Sequence, residues 1–211
     1  NQSLGYHGIQ FGSDHKVGAN DTRATGDAAM ARLNYTLNDK YLFTASVRRD
    51  GYSAFGKKNP RAVFPAFAFA WRLSQEPFFN VDKIDDLKIR ASWGRNGNRS
   101  IGQYAALATV NSGRYYNGVN TQIGVFNNTL SNYDLKWEQT ESYNLGIDLA
   151  MFKNRLSITA DVYNMTTVDL LMNRKLPEIT GFTSVVTNLG KLSNKGWELS
   201  VNTVNIDREN L

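Results

Sequence analysis

The chain has 211 residues, enough for one large domain or two small ones, and no cysteine, which excludes a disulfide scaffold and thiolate metal sites. Its formal net charge of +5 rests on Lys and Arg scattered along the chain rather than gathered in a stripe, so nucleic acid is not an expected partner. No run of about 20 apolar residues offers a transmembrane helix. That absence leaves open a membrane barrel, whose hydrophobicity is carried by alternate residues only.

Period-two alternation dominates the chain. In 28–37, Ala29, Ala31, Leu33, Tyr35 and Leu37 share one face. Asn38-Asp39-Lys40 reads as a short turn. In 41–51, Tyr41, Phe43, Ala45 and Val47 lie opposite Leu42, Thr44, Ser46 and Arg48, and the stretch ends in Arg49-Asp50-Gly51. A polar loop over 52–61 leads to 62–73, where Val63, Pro65, Phe67, Phe69, Trp71 and Leu73 oppose mostly alanine. Pro65 has no N–H for a ladder, so a bulge or an irregular start is expected there.

Residues 74–86 read as a compact connection, and 87–95 alternates again through Leu87, Ile89, Ala91 and Trp93. The stretch 96–139 is rich in Gly, Asn, Ser and Tyr and reads as a long loop, a length that in compact domains goes with function. Strand pattern returns in 140–150 with Tyr143, Leu145, Ile147 and Leu149 on one face. A tight connection follows at 151–155. In 156–168, Leu156, Ile158, Ala160 and Val162 share a face. A second long loop covers 169–194. The last strand, 195–204, carries Trp197, Leu199 and Val201.

This reading gives about seven strands in an antiparallel up-and-down meander, hence an all-β fold. Its connections alternate in length, so the long ones gather at one end and the short ones at the other, as in outer-membrane barrels. Most segments run 9–12 residues, the length of a tilted membrane strand rather than the five or six usual in soluble folds. Tyr41, Trp71, Trp93 and Tyr143 sit near strand ends on the apolar face, where an aromatic girdle belongs. In such a wall Arg48 and Asp50 face the lumen with Arg90, Asp148 and Asp161, while Arg49 reaches the lipid interface.

Five stretches in this order resemble the SusC/RagA family of TonB-dependent outer-membrane transporters: ARLNYTLNDKYLFTASVRRDGYSAFG, VFPAFAFAWRLSQEPFF, IDDLKIRASWGRNGNRSIGQY, LKWEQTESYNLGIDLAMFKNRLSITADVYNMTTVDLL and TNLGKLSNKGWELSVNT. The resemblance covers residues 28–205. It implies a fragment of a large transmembrane β-barrel, about 7 strands of about 22. Residues 1–27 are then the tail of an extracellular loop, 96–139 and 169–194 long extracellular loops, and 206–211 a periplasmic turn. It further implies import of glycans or peptides across the bacterial outer membrane, a SusD-like surface lipoprotein as partner, and a TonB complex that acts through a plug region missing from this stretch. The ends at Asn1 and Leu211 read as arbitrary, so an excerpt of a longer protein is expected.

Catalytic and cofactor motifs are weak. Gly94 to Gly102 lacks the Gly-Lys-Ser/Thr ending of a phosphate loop. Asp82, Asp85 and Asp86 do not match a calcium-loop spacing. The carboxylate pairs Glu138/Glu141 and Asp148/Asp161 have no separation that sequence can supply. His7 and His15 have no nucleophile in a plausible setting, so no triad is expected, and no cofactor. The long-loop aromatics Tyr104, Tyr115, Tyr116, Phe126, Tyr133 and Trp137 are candidates for stacking on substrate or holding a lid. The alternative is that they pack the loop on itself, with Trp137 also placed to serve as a girdle residue. Two other readings are a small free-standing barrel of structural or adhesive role, completed by a strand near 6–13, and a soluble carbohydrate-binding β-sandwich. An open seven-stranded sheet would bare two edges and an apolar face, so the stretch is not expected to fold alone.

Overall fold

A computed structural model describes residues 21–206. The readings that fall on 1–20, including His7, His15 and a strand near 6–13, lie outside the described residues, as do 207–211. The strands are β1 (Gly26–Leu37), β2 (Tyr41–Tyr52), β3 (Arg61–Arg72), β4 (Ile84–Asn98), β5 (Val110–Tyr116), β6 (Thr121–Asn127), β7 (Glu138–Met151), β8 (Leu156–Val168), β9 (Leu171–Lys175), β10 (Ser184–Asn188) and β11 (Lys191–Thr203). Seven of them form one antiparallel sheet in the order β1-β2-β3-β4-β7-β8-β11, a meander in which each long strand pairs with the next long strand of the chain. The expected seven strands are all present, and no α-helix occurs among the described residues.

The short connections turn tightly because their residues accept left-handed backbone. Asn38 and Asp39 hold φ of 51° and 56°, and the Lys40 N–H donates to Leu37 O at 3.0 Å. This is the paired positive φ that a tight hairpin needs. Phe152, Lys153 and Asn154 repeat it with φ of 59°, 59° and 61°. The third connection at this end folds through a single 3₁₀ turn, Leu73–Gln75.

The opposite end is elaborated. Each long loop contains a hairpin that alternation did not reveal: β5 with β6, and β9 with β10. Pro65 does not bulge. The β2–β3 register runs through the Val47↔Pro65 pair without a shift. The β3–β4 pairing instead stops at Ala66↔Gly94, one residue short of the proline that has no N–H to give, while β4 stays paired with β7 out to Asn98↔Glu138. The two strands part here, and the Phe64 ring fills the gap against Gly97.

Phe64 belongs to the one packed cluster of buried hydrophobic residues among the described residues, with Phe55, Ala106, Leu135 and Trp137. This cluster lies among the long connections, not on the apolar face of the sheet. On that face Phe67, Leu145, Leu199 and Trp197 are 54, 55, 58 and 74% exposed. Among the described residues no second sheet covers them, so the sandwich reading fails. The sheet is open, with β1 and β11 as its edges, and does not close into a small barrel among the described residues.

The apolar face is bounded by a slanted edge. Towards the long-connection end its last apolar side chains are Val47 on β2, Val63 on β3, Trp93 on β4, Tyr143 on β7, Val162 on β8 and Trp197 on β11. Across the registers this edge falls by three rows from Ala29 on β1 to Val162 and Trp197, with one step back up at Val63, which pairs with Arg49. With ~6.7 Å between successive rows of one face and ~4.8 Å between strands, a fall of about three rows across the sheet corresponds to strands tilted by about 35° to the band. The lower edge descends likewise, from Tyr41 and Trp71 to Leu149 and Leu156. The band is then roughly 20–25 Å tall, the height that transmembrane barrels present to hydrocarbon.

Candidate functional site

The face opposite the apolar band carries the charge. Arg90 on β4 forms a bidentate pair with Asp148 on β7, Nε to Oδ2 at 2.9 Å and Nη2 to Oδ1 at 3.0 Å. Lys88 reaches the same carboxylate at 2.8 Å. Arg90 Nη2 also donates to Asp161 Oδ2 on β8 at 3.2 Å. Thr159 adds a hydrogen bond to Asp148 Oδ1 at 3.4 Å. All five side chains share a face because residues of equal parity in register do so. Arg90, Gly146 and Asp161 lie in one row, and Gly146 leaves the space through which Arg90 crosses β7. A Cβ at 146 would overlap both side chains.

Further along the same face, Arg48 binds Asp50 through both carboxylate oxygens at 2.9 and 2.8 Å. The five polar residues expected to line a lumen, Arg48, Asp50, Arg90, Asp148 and Asp161, therefore stand on one side of the sheet, opposite the apolar band.

At each margin of the apolar band a single glutamate organises the aromatic residues. At the short-turn end Glu76 accepts from Tyr41 Oη at 2.6 Å, Trp71 Nε1 at 3.0 Å and Lys40 Nζ at 3.2 Å, and the two rings stack with centroids 6.2 Å apart. The Tyr41 and Trp71 hydrogen bonds, with the Lys40 ammonium, hold the Glu76 carboxyl below its usual range. At the long-connection end Glu141 accepts from Trp93 Nε1 at 2.9 Å, and from Tyr143 Oη and Arg95 Nη2 at 3.4 Å each. Phe67 stacks on Trp93 at 5.8 Å, and Arg95 lies over the Trp93 ring at 5.8 Å. Polar tips gathered on one carboxylate and rings turned to the apolar band are what an interface girdle requires.

The six loop aromatics separate. Trp137 is 3% exposed, stacks on Phe55 at 4.7 Å, meets Phe64 edge-on at 5.7 Å and directs its N–H to Pro60 O at 3.5 Å. It packs the long connections together, and is open neither to a ligand nor to lipid. Tyr104 accepts a hydrogen bond from the Arg23 backbone N–H at 2.8 Å. Tyr115 and Phe126 share one face of the β5–β6 hairpin, each lying against a glycine, Gly124 and Gly113. Tyr116 closes its own turn by donating to Gly118 O at 3.0 Å. Tyr133 is partly exposed beside Gly56. No group of three or more His, Asp or Glu that could hold a metal occurs among the described residues.

Missed by sequence reasoning are Glu76 and Glu141 as organisers of the aromatic margins and Gly146 as the opening for Arg90. Each acts across strands, so its role depends on register. The β5–β6 hairpin did have a signal in Asn117-Gly118, a dipeptide that favours tight turns.

An open, tilted wall with an apolar band, aromatic margins and a charged opposite face defines a segment of a membrane β-barrel. Residues 2–207 match the family described as TonB dependent receptor-like, beta-barrel, and the chain belongs to it. It is 42% identical over 186 residues to TonB-dependent receptor P39 of Formosa agariphila, an alignment covering 88% of this chain and 18% of that protein. It is 38% identical over 188 residues to TonB-dependent receptor SusC of Bacteroides thetaiotaomicron, covering 86% and 19%. The solved RagAB peptide transporter matches with a TM-score of 0.79 at 30% identity, over 89% of this chain and 20% of that one. The siderophore receptor PirA of Pseudomonas aeruginosa shares the fold alone, with a TM-score of 0.54 at 15% identity. The chain thus spans about a fifth of the length of its relatives. The family consists of outer-membrane receptors and transporters, not enzymes.

Proposed function

We propose that this chain forms part of the wall of a TonB-dependent import barrel in the bacterial outer membrane, taking up peptides or glycans. The observation that carries this reading is the two-faced wall. Its apolar band has the height and slant of a bilayer-spanning barrel, and ion pairs occupy the other face. In this reading the long connections, 96–139 and 169–194, are extracellular, the segment before β1 is the tail of another extracellular loop, and the short turns are periplasmic. Arg48, Asp50, Arg90, Asp148 and Asp161 face the lumen. Tyr104, Tyr115, Tyr116, Phe126 and Tyr133 stand at the mouth, where rings stack on a substrate or on a lid. Trp137 holds those loops together from within.

The partners in this reading are a SusD-like surface lipoprotein over the mouth and the TonB complex, which acts through a plug region outside this wall. The peptide choice is supported by the likeness to RagAB, described as a peptide transporter, and the glycan choice by the resemblance to SusC-type receptors. The test is uptake by cells expressing or lacking the full-length protein, supplied with fluorescent oligopeptides and fluorescent oligosaccharides. The reading expects one of the two to enter only with the protein and only with an intact TonB complex. Equal entry of both without the protein would refute it.

A further inference from the structure

Resting on the membrane reading above, the outward face carries a feature that barrel closure and import do not require. One row beyond the apolar edge at the long-connection end, the first outward polar residues are Asp27 on β1, Arg49 on β2, Arg61 on β3, Arg95 on β4, Glu141 on β7, Asn164 on β8 and Lys195 on β11. Four are cations. Two are tied to neighbours, Arg61 to Asp27 at 3.1 Å and Arg95 to Glu141 at 3.4 Å. Arg49 and Lys195 have no ion-pair or side-chain hydrogen-bond partner among the described residues.

Directly below the cationic rim lies an apolar groove of about 1160 Å³ running across the strands, lined by Phe43, Phe67, Trp93, Leu145 and Trp197, with Lys195 at its margin. Cations at headgroup depth above an aromatic groove match one ligand in both parts: an anionic head held by Lys and Arg, and acyl chains laid against rings.

We propose that this face binds a phosphate-bearing lipid of the leaflet at the long-connection end. Arg49, Arg95 and Lys195 engage its phosphates, and the groove between the Phe67–Trp93 row and the Phe43–Leu145–Trp197 row receives its chains. Trp93 and Trp197 each lie two residues along the strand from a cation, Arg95 and Lys195, so each places an indole at the boundary between head and chain. Glu141 takes only part of the Arg95 guanidinium, at 3.4 Å, which leaves its other N–H groups free for a phosphate.

The test uses the full-length receptor in detergent, with diphosphoryl lipid A and the same lipid stripped of its phosphates as probes, and native mass spectrometry to count retained lipid. The expected result is at least tenfold stronger retention of the phosphorylated probe, falling as salt rises. That preference should disappear in R49Q/R95Q/K195Q and weaken in K195Q alone, while Arg32→Gln on the opposite face leaves it unchanged. Equal retention of both probes by the unaltered protein would overturn the phosphate site while leaving the membrane reading intact. A full-length protein that binds neither probe and stays monomeric without detergent would overturn both.

Discussion

Arg90 and Asp161 are joined across an intervening strand, Nη2 to Oδ2 at 3.2 Å, over the backbone of Gly146. Arg61 and Asp27 do the same across Gly51 on the other face, at 3.1 and 3.2 Å. In both cases the glycine stands in register between the two charges. Alternate strands lie about 10 Å apart, and a Cβ on the middle strand would meet both charged side chains, so the glycine clears the path of the pair.

Gly146→Ala therefore tests a steric claim rather than a conformational one, since Gly146 has no positive φ. The expected cost is about 1–3 kcal/mol, the range for overpacking. It should appear as a lower temperature for loss of the folded band in semi-native electrophoresis of the full-length protein. Asp161→Asn in the Gly146→Ala background should add little, because the pair is already broken.

Glu76 supplies the pH prediction. Its folded-state pKa lies below the unfolded value because Tyr41, Trp71 and Lys40 favour the ionised form. Its contribution is fully present above the ordinary carboxylate value of about 4.3 and is lost as pH falls through the lowered folded value. Thermal stability of the full-length protein should decline over that acid window, and the decline should be smaller in Glu76→Gln. An identical pH profile for both proteins would contradict the clamp.

Trp137→Ala removes the centre of the loop cluster. Burial against Phe55 and Phe64 predicts a local loss of about 3–5 kcal/mol. The wall itself should persist. Limited proteolysis should then cut within 99–137 much faster than in the unaltered protein, with the strands still protected.

Much of the wall was legible because its strands carry unbroken period-two alternation, a pattern that survives whichever medium faces the apolar side. The expectation that lipid meets the apolar side rested on strand length and on the positions of Tyr41, Trp71, Trp93 and Tyr143. The β5–β6 hairpin was marked by its turn alone, Asn117-Gly118, because Val110, Tyr115, Tyr116, Ile123 and Phe126 are exposed on both of its faces, so neither face is set apart by polarity. Trp137 was open to three readings for a different reason. Its burial comes from Phe55 and Phe64, 82 and 73 positions earlier in the chain, and no local pattern reports such a contact. Pro65 was read as a distortion, whereas the sheet accommodates it by ending one ladder and keeping the other.

Charge placement separates the two faces energetically. Ile147→Arg, near the middle of the apolar band, should cost about 2–4 kcal/mol, while Asn144→Arg on the opposite face of the same strand should be tolerated. Refolding yield into lipid vesicles reads the difference, and equal yields would contradict the assignment of faces.

The central claim, that one face of β7 meets hydrocarbon and the other meets water, is tested most directly by spin labels. Single cysteines from position 142 to 149 of the otherwise cysteine-free wall, each labelled in the full-length receptor in vesicles, would be probed for collision with oxygen and with a water-soluble nickel chelate. The account predicts alternation, with oxygen favoured at 143, 145, 147 and 149 and the chelate at 142, 144 and 148, position 146 being left as glycine because a Cβ there meets Arg90 and Asp161. Labels at 145 and 147 that are shielded from both reagents would place Leu145 and Ile147 in a dry protein interior and contradict it.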